Sequence, residues 1–267
     1  MIQLKNIKIG NGAPFVLIAG PCVIENESIT IHTAEEIKKI TDELNIPYIF
    51  KSSYKKANRT SIDSFVGLDL DESLKIFHKI KTELNLPILT DVHTEREIDL
   101  VKDYVDVLQI PAFLCRQTEL LIAAGKTGKV VNVKKGQFLA PDDMKHVVEK
   151  IKSTGNNKIL LTERGTSFGY HNLIVDMRSL EIIMDATHAV QIPSQGGISG
   201  GEPRFIKILA KAAAAVGIDG LFLEVHPDPP KALSDSASQL HLSKLKNLLK
   251  LIQQIDIMVK NEDRYSE

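Results

Sequence analysis

Cysteine is scarce in this sequence, with only Cys22 and Cys115 among 267 residues. Two thiols do not make the disulfide framework of a small secreted module, and the opening MIQLKNIKIG lacks the charged-then-apolar signature of a secretory signal. A reducing cytoplasm is the expected compartment. Excess positive charge is missing too: 33 Lys and Arg face 34 Asp and Glu. That balance excludes a non-specific hold on nucleic acid or on an anionic membrane surface, so any basic residues that matter must be locally clustered. Long apolar runs are also missing. The run around Ala212 to Val216 falls far short of the roughly 20 residues a membrane helix requires.

What is present is the composition of a folded protein with a large core, 43% hydrophobic and 25% charged. The length suits one (β/α)8 barrel and also leaves room for two smaller domains. Eight short runs rich in Val, Ile and Leu recur: FVLIAG from Phe15, YIFKSS from Tyr48, PILTDV from Pro87, VLQIPA from Val107, VVNVKK from Val130, ILLTER from Ile159, EIIMDATH from Glu181 and LFLEVH from Leu221. They are nearly continuous in hydrophobicity, which suits parallel strands buried on both faces.

Helical patterns lie between most of these runs. Ile37, Ile40 and Leu44 mark one face of a first helix starting near Ser28, and Leu74, Ile76, Phe77 and Ile80 mark a second. A fifth has Pro141 near its first turn and Gly155 near its stop. No Gly-rich dinucleotide fingerprint follows the first strand, which argues against an open doubly wound sheet. The expected fold is therefore a single α/β domain over residues 1–267, a (β/α)8 TIM barrel with a short N-terminal hairpin across its bottom. The crossover between Arg164 and Glu181 is short, with room for a helical turn or two at most.

In such a barrel the C-terminal ends of the strands line the active site. Here those ends carry Cys22, Lys51, Ser52, Ser53, Asp91, His93, Gln109, Asn132, Lys134, Lys135, Glu163, Arg164, Asp185, His188, Glu224 and His226. Lys51, Lys56, Arg59, Lys134 and Arg164 converge on one mouth, and convergent cations imply a ligand with more than one phosphate or carboxylate. Any one of these lysines read alone is a solvated surface amine. Cys22, His188, Glu224 and Asp235 form a second group on the first, seventh and eighth strand ends and the loop that follows. Mixed S, N and O donors suit a borderline divalent metal such as Zn2+ or Fe2+. Singly, each has a duller reading: Cys22 a small buried hydrophobe, His188 a base or substrate contact, Glu224 a partner for Lys or Arg, Asp235 a cap.

The stretches AGPCVIEN from Ala19, FKSSYKKANRTS from Phe50, TDVH from Thr90, QIPAFLCRQTEL from Gln109, NVKKGQF from Asn132, LTERGTSFGYHNLIVDMRSL from Leu161, DATHAVQ from Asp185, SGG from Ser199 and EVHPDP from Glu224 resemble the 3-deoxy-D-manno-octulosonate 8-phosphate synthases. The related 3-deoxy-arabino-heptulosonate 7-phosphate synthases, which use erythrose 4-phosphate, carry a KPRT-type motif where this chain has KANRTS. The resemblance implies a homotetrameric enzyme of lipopolysaccharide biosynthesis that condenses phosphoenolpyruvate with arabinose 5-phosphate. Cys22 after Gly-Pro resembles the metal-dependent branch, which implies Zn2+, Fe2+ or Mn2+ on Cys22, His188, Glu224 and Asp235; the metal-free branch has Asn in place of this Cys.

The same resemblance places Lys51, Lys56, Lys134 and Arg164 on phosphoenolpyruvate, with His188 near its phosphate. It puts Asn58, Arg59 and Thr60 on the sugar phosphate, where the family more often has Ser at the Thr60 position. Ser53 and Phe113 count among the substrate contacts, Asp91 falls near metal and sugar, and Arg116 reaches a neighbouring subunit's site. Catalysis is then expected of Lys51, Lys56, Lys134, His188 and Asp91. The competing readings are the heptulosonate synthase and a barrel that binds phosphosugars without catalysis.

Overall fold

A computed structural model describes the chain except residues 60, 180–182, 196–197 and 263–267, and for 193–199 and 262 it describes the backbone alone. Eight parallel strands close into a barrel: β1 (Val16–Gly20), β2 (Tyr48–Lys51), β3 (Ile88–Asp91), β4 (Val107–Ile110), β5 (Val130–Lys134), β6 (Ile159–Glu163), β7 (Ile183–Asp185) and β8 (Gly220–His226). Neighbours pair in chain order, and β8 closes the ring by pairing with both β7 and β1. Strands β7, β8 and β1 therefore stand side by side, which brings the second group of polar residues to one sector of the rim.

Helices α1 (Glu27–Leu44), α2 (Leu70–Glu83), α3 (Glu95–Val101), α4 (Thr118–Lys126), α5 (Met144–Lys152), α6 (Ile206–Val216) and α7 (Leu242–Glu262) form the outer ring. Local chemistry sets their ends. Asn26 caps α1 by accepting a hydrogen bond from the Ile29 amide at 2.8 Å, and Asn45 ends it in the left-handed region at φ 53°. Between β6 and β7 the described residues hold only a two-stranded ribbon, Thr166–Ser167 with Leu173–Ile174, and a 3-10 turn at Met177–Ser179. The short crossover read from the sequence is thus realised without an α-helix among the described residues; Glu181, where the seventh run was expected to begin, lies outside them.

The barrel interior is layered. Val16, Ile18, Ile49, Leu89, Val107, Val130, Leu160, Ile183 and Phe222 form one apolar cluster inside the strands. The hairpin Ile2–Leu4 with Ile7–Ile9 adds Leu4, Ile7 and Ile9 to that same cluster, so it stoppers the N-terminal mouth. Above Phe222 the interior turns polar. Thr162 donates to Asn132 at 2.9 Å, Asn132 to Gln109 at 2.8 Å, and Gln109 to Oδ1 of Asp91 at 2.6 Å. Each bond contributes only about 1 kcal/mol net, but an unpaired member would cost about 1–3 kcal/mol, so the chain of four fixes Asp91 in place. A second cluster, between strands and helices, holds the remaining core.

Candidate functional site

The C-terminal mouth opens into a pocket lined by Lys51, Ser53, Lys55, Lys56, Asn58, Asp91, His93, Pro111, Ala112, Phe113, Lys134, Gln137, Arg164, His188 and Glu224. Gly20 lets β1 and β2 approach closely enough to build its wall: a Cβ there would lie 2.1 Å from the Lys51 carbonyl oxygen. Beyond Gly20 the two chains stay paired, the Ser53 amide donating to Cys22 O at 3.2 Å and the Ile24 amide to Ser53 O at 2.9 Å. This continuation carries Cys22 up to the mouth.

Lys51 is buried, and its ammonium donates to Cys22 O at 3.0 Å and Ser53 Oγ at 3.2 Å, with Glu224 at 3.4 Å and Asp91 at 3.7 Å. Burial alone would lower its pKa, but Asp91 and Glu224 outweigh burial and raise it, so it stays charged. Asp91 shows the converse: burial pulls its carboxyl up, while Lys51 and Lys134, with hydrogen bonds from Ser53 and Gln109, hold it well below the usual range. Lys134 donates to Asp185 Oδ2 at 2.6 Å and stands 3.8 Å from the Phe222 ring centroid. The buried Arg164 donates to Gln191 Oε1 at 2.9 Å, and its Nη1 has no protein partner. Three charged side chains thus present donors to a single space, a geometry suited to carboxylate and phosphate oxygens.

The second group lies against one wall of this space. One donor atom each from Cys22, Glu224 and Asp235 falls within 4.8 Å of the other two. Sγ of Cys22 lies 3.3 Å from Oδ2 of Asp235, and Nε2 of His188 lies 3.3 Å from Glu224 Oε1 and 3.9 Å from Asp235 Oδ2. His188 Nδ1 meets Asp185 Oδ2 at 2.6 Å, the carboxylate–imidazole arrangement that aims the other ring nitrogen of a metal-ligating histidine. The Glu224 Oε2 atom is buried with no hydrogen-bond partner. Burial first, and then Asp235 and Glu224, push the Cys22 thiol up; a divalent cation among these donors reverses that balance. Soft sulfur, an oriented imidazole and an orphaned carboxylate oxygen fit a borderline metal. Lys56 meets the same atoms, 3.2 Å from Cys22 Sγ and 2.5 Å from Asp235 Oδ2.

A sequence profile described as the DAHP synthetase I family matches residues 1–261. The chain belongs to that family. Among its relatives, a protein of Dichelobacter nodosus is 52% identical over 100% of this chain and 99% of its own length. One from Geobacter metallireducens is 54% identical over 97% and 98%, and one from Koribacter versatilis 55% identical over 92% of each. All three are named 2-dehydro-3-deoxyphosphooctonate aldolase.

Within this family member, a second pocket adjoins the first and is lined by Lys56, Asn58, Arg59, Ser64, Phe65, Ala232, Leu233, Ser234, Asp235 and Ser236. Arg59 donates to Lys56 O at 2.8 Å and keeps its Nε buried without a partner among the described residues. Thr60 lies outside the described residues. Phe113 stands half-exposed at the rim, whereas Arg116 is exposed and lines neither pocket of its own chain. Eight of the strand-end residues do not line the pocket: Cys22, Ser52, Gln109, Asn132, Lys135, Glu163, Asp185 and His226. Lys135 turns away to bond Gly136 O, Leu139 O and Thr166 Oγ1, and pairs with Glu163 at 3.5 Å. Glu163 in turn accepts from the amides of Arg164 and Gly165. Asn132 sits in the polar layer beneath the pocket, and His226 faces Glu25. The strand-end reading also misses Gln137, on the loop after β5, and Gln191, the first residue of a short strand Gln191–Gln195. The GQF of NVKKGQF and the last residue of DATHAVQ were the available signals.

Proposed function

We propose that this chain catalyses the condensation of phosphoenolpyruvate with D-arabinose 5-phosphate and water to 3-deoxy-D-manno-octulosonate 8-phosphate and phosphate, the reaction of a 2-dehydro-3-deoxyphosphooctonate aldolase in lipopolysaccharide biosynthesis. The observation that carries this reading is the convergence of Lys51, Lys134 and Arg164 on one pocket, in a chain aligned end to end with relatives of that name. Two anionic substrates repel one another. Lys51, Lys56, Lys134 and Arg164 offset that repulsion around phosphoenolpyruvate, while Asn58, Arg59, Thr60 and Phe113 hold the sugar phosphate and Ser53 and Asp91 lie between. C3 of phosphoenolpyruvate attacks the aldehyde carbon, water adds at C2, and the C2–O bond to phosphate breaks. Alignment of the reacting carbons supplies up to ~7 kcal/mol or more of the barrier reduction.

The buried cations stabilise charge that builds on the phosphate and carboxylate oxygens during the reaction. Lys134 and His188, both in contact with Asp185, stand where a proton can pass to or from a phosphate oxygen. Cys22, His188, Glu224 and Asp235 would hold Zn2+, Fe2+ or Mn2+; such an ion supplies charge to orient and polarise the sugar aldehyde or to acidify a water. The whole chain acts as one domain in a cytoplasmic homotetramer, with Arg116 completing a neighbour's sugar-phosphate site. Among the described residues no helix is long and apolar enough to cross a membrane.

The test is phosphate release from phosphoenolpyruvate with added metal. Release with arabinose 5-phosphate and far less with erythrose 4-phosphate supports the reading. The reverse preference makes the chain a heptulosonate synthase, and release with neither sugar makes it a binding barrel.

A further inference from the structure

The loop after β8 carries Asp235, yet Asp235 is not on a regular element. Its backbone stands at φ 47°, in the left-handed region that Asp enters more readily than most residues other than glycine, and the loop around it is held from both sides. Two buried side chains grip the segment. Gln239 donates from Nε2 to Ser234 O at 2.8 Å on one side. On the other, Glu25 accepts the Leu233 amide at 2.8 Å across 208 positions of sequence. Glu25 is itself buried, and its Oε2 lies 3.7 Å from His226 Nε2. The Asp228 amide donates to His226 Nδ1 at 3.0 Å, which leaves the proton of the neutral ring on Nε2, facing Glu25.

We propose that Glu25 is a positioning residue for the cation cluster, holding the Leu233 amide so that Asp235 stays against Cys22. The inference rests on the metal reading of Cys22, His188, Glu224 and Asp235. Its logic is one of distance along the chain. Cys22 and Glu25 leave β1 three residues apart, while Leu233 and Asp235 are two apart on the loop after β8. One pair, Cys22 with Asp235, would meet the metal; the other, Glu25 with Leu233, ties the same two segments together behind it. The Leu233 side chain is exposed, so the amide rather than side-chain packing is what Glu25 secures. A carboxylate that costs desolvation in this position lines neither pocket itself, and anchoring the loop accounts for its presence.

The experiment titrates the metal-free protein with Co2+ against a competing chelator and follows the thiolate-to-cobalt absorption. Glu25→Ala should weaken Co2+ binding about 10- to 100-fold, the usual range for a residue that orients a ligand, yet reach the wild-type absorption at saturating metal. Glu25→Gln retains an acceptor oxygen and should recover most of the loss. Leu233→Pro removes the donor instead, and Ala232 at φ −62° and ψ 136° already has the conformation that precedes a proline. It should reproduce the Glu25→Ala defect, and the double variant should be no worse than either single one. Should Glu25→Ala fail to fold, Leu233→Pro carries the test alone. Unchanged affinity in the variants beside a normal wild-type absorption overturns the role of Glu25. A wild type with no thiolate absorption, indistinguishable from Cys22→Ala, overturns the metal reading and this inference with it.

Discussion

His188 Nδ1 lies 2.6 Å from Asp185 Oδ2, and this contact decides what the other ring nitrogen can do. Asp185 also accepts from the backbone amides of Thr187 and His188, so the carboxylate is fixed before it fixes the ring. Burial would raise its pKa, but His188 and Lys134 hold it well below the ordinary range. Asp185→Asn removes the charge and keeps the shape. Lys134 then loses its counter-ion and His188 Nδ1 its carboxylate partner, and metal affinity should fall about 10- to 100-fold together with kcat. Isothermal titration with Zn2+ and steady-state kinetics read the two effects separately. Unaltered metal affinity would show that Asp185 serves Lys134 alone.

Asp91 gives a pH prediction with a definite sign. Its folded pKa is depressed by Lys51 and Lys134 against the pull of burial. The stability it contributes is therefore complete above the unfolded value of about 3.9 and is lost as pH falls below it. Asp91→Asn should be less stable than wild type at pH 7, where it leaves Lys51 with Glu224 as its one remaining carboxylate partner among the described residues, and the gap should narrow toward pH 3. Urea midpoints across that range check this; a gap that widens on acidification would contradict it.

The barrel was legible in the sequence because its strands are buried on both faces and read as eight apolar runs. The strand-end rule found Lys51 and Lys134 because the strands themselves aim these side chains, and Arg164 and His188 because they follow one and three residues after their strands. It misread Lys135 and Glu163 for a physical reason: consecutive residues on a strand point to opposite faces, so beside Lys134 and Arg164 they must point away from the mouth. Gln137 and Gln191 were marked only as members of the motifs NVKKGQF and DATHAVQ, and the grip of Glu25 on Leu233 was not legible, because the conformation of the segments beyond the barrel strands is encoded by no periodicity. The hairpin was expected at the bottom, but its role as a stopper emerged only from the cluster that joins Leu4, Ile7 and Ile9 to Phe222.

Arg59 offers a guanidinium beside the second pocket, its buried Nε without a partner among the described residues. Pairing with the arabinose 5-phosphate dianion would satisfy it. Arg59→Ala should then cost roughly 1.5 to 3 kcal/mol in sugar-phosphate recognition, about 10- to 100-fold in its KM, with little change for phosphoenolpyruvate. Equal rises in both Michaelis constants would contradict the assignment.

Arg116 is exposed and lines neither pocket of its own chain. If it completes a neighbour's site, inactive Arg116→Ala and inactive Lys134→Ala proteins should regain partial activity when mixed, since a hybrid contains a site with both native residues. Native mass spectrometry verifies the hybrids. Hybrids without activity would count against a site shared between subunits.

Cys22 provides the sharpest test of the metal. Its thiol is pushed up by burial and by Asp235 and Glu224, so metal must compete with a firmly held proton. Affinity should therefore fall as pH drops, and a chelator should abolish turnover until Zn2+, Fe2+ or Mn2+ is restored. Cys22→Asn removes the sulfur and installs an amide, the residue that stands in this place in the metal-free branch, unlike the metal-dependent branch that this sequence resembles. Lys56 loses its 3.2 Å contact with Cys22 Sγ but keeps Asp235 at 2.5 Å, so the cations around the pocket remain in place. The variant should lose bound metal yet keep measurable, chelator-resistant activity, because charge compensation and alignment of the substrates remain. Cys22→Ala, with neither ligand nor amide, should fall much lower. Full metal occupancy and undiminished chelator sensitivity in Cys22→Asn would return Cys22 to the role of a small buried side chain.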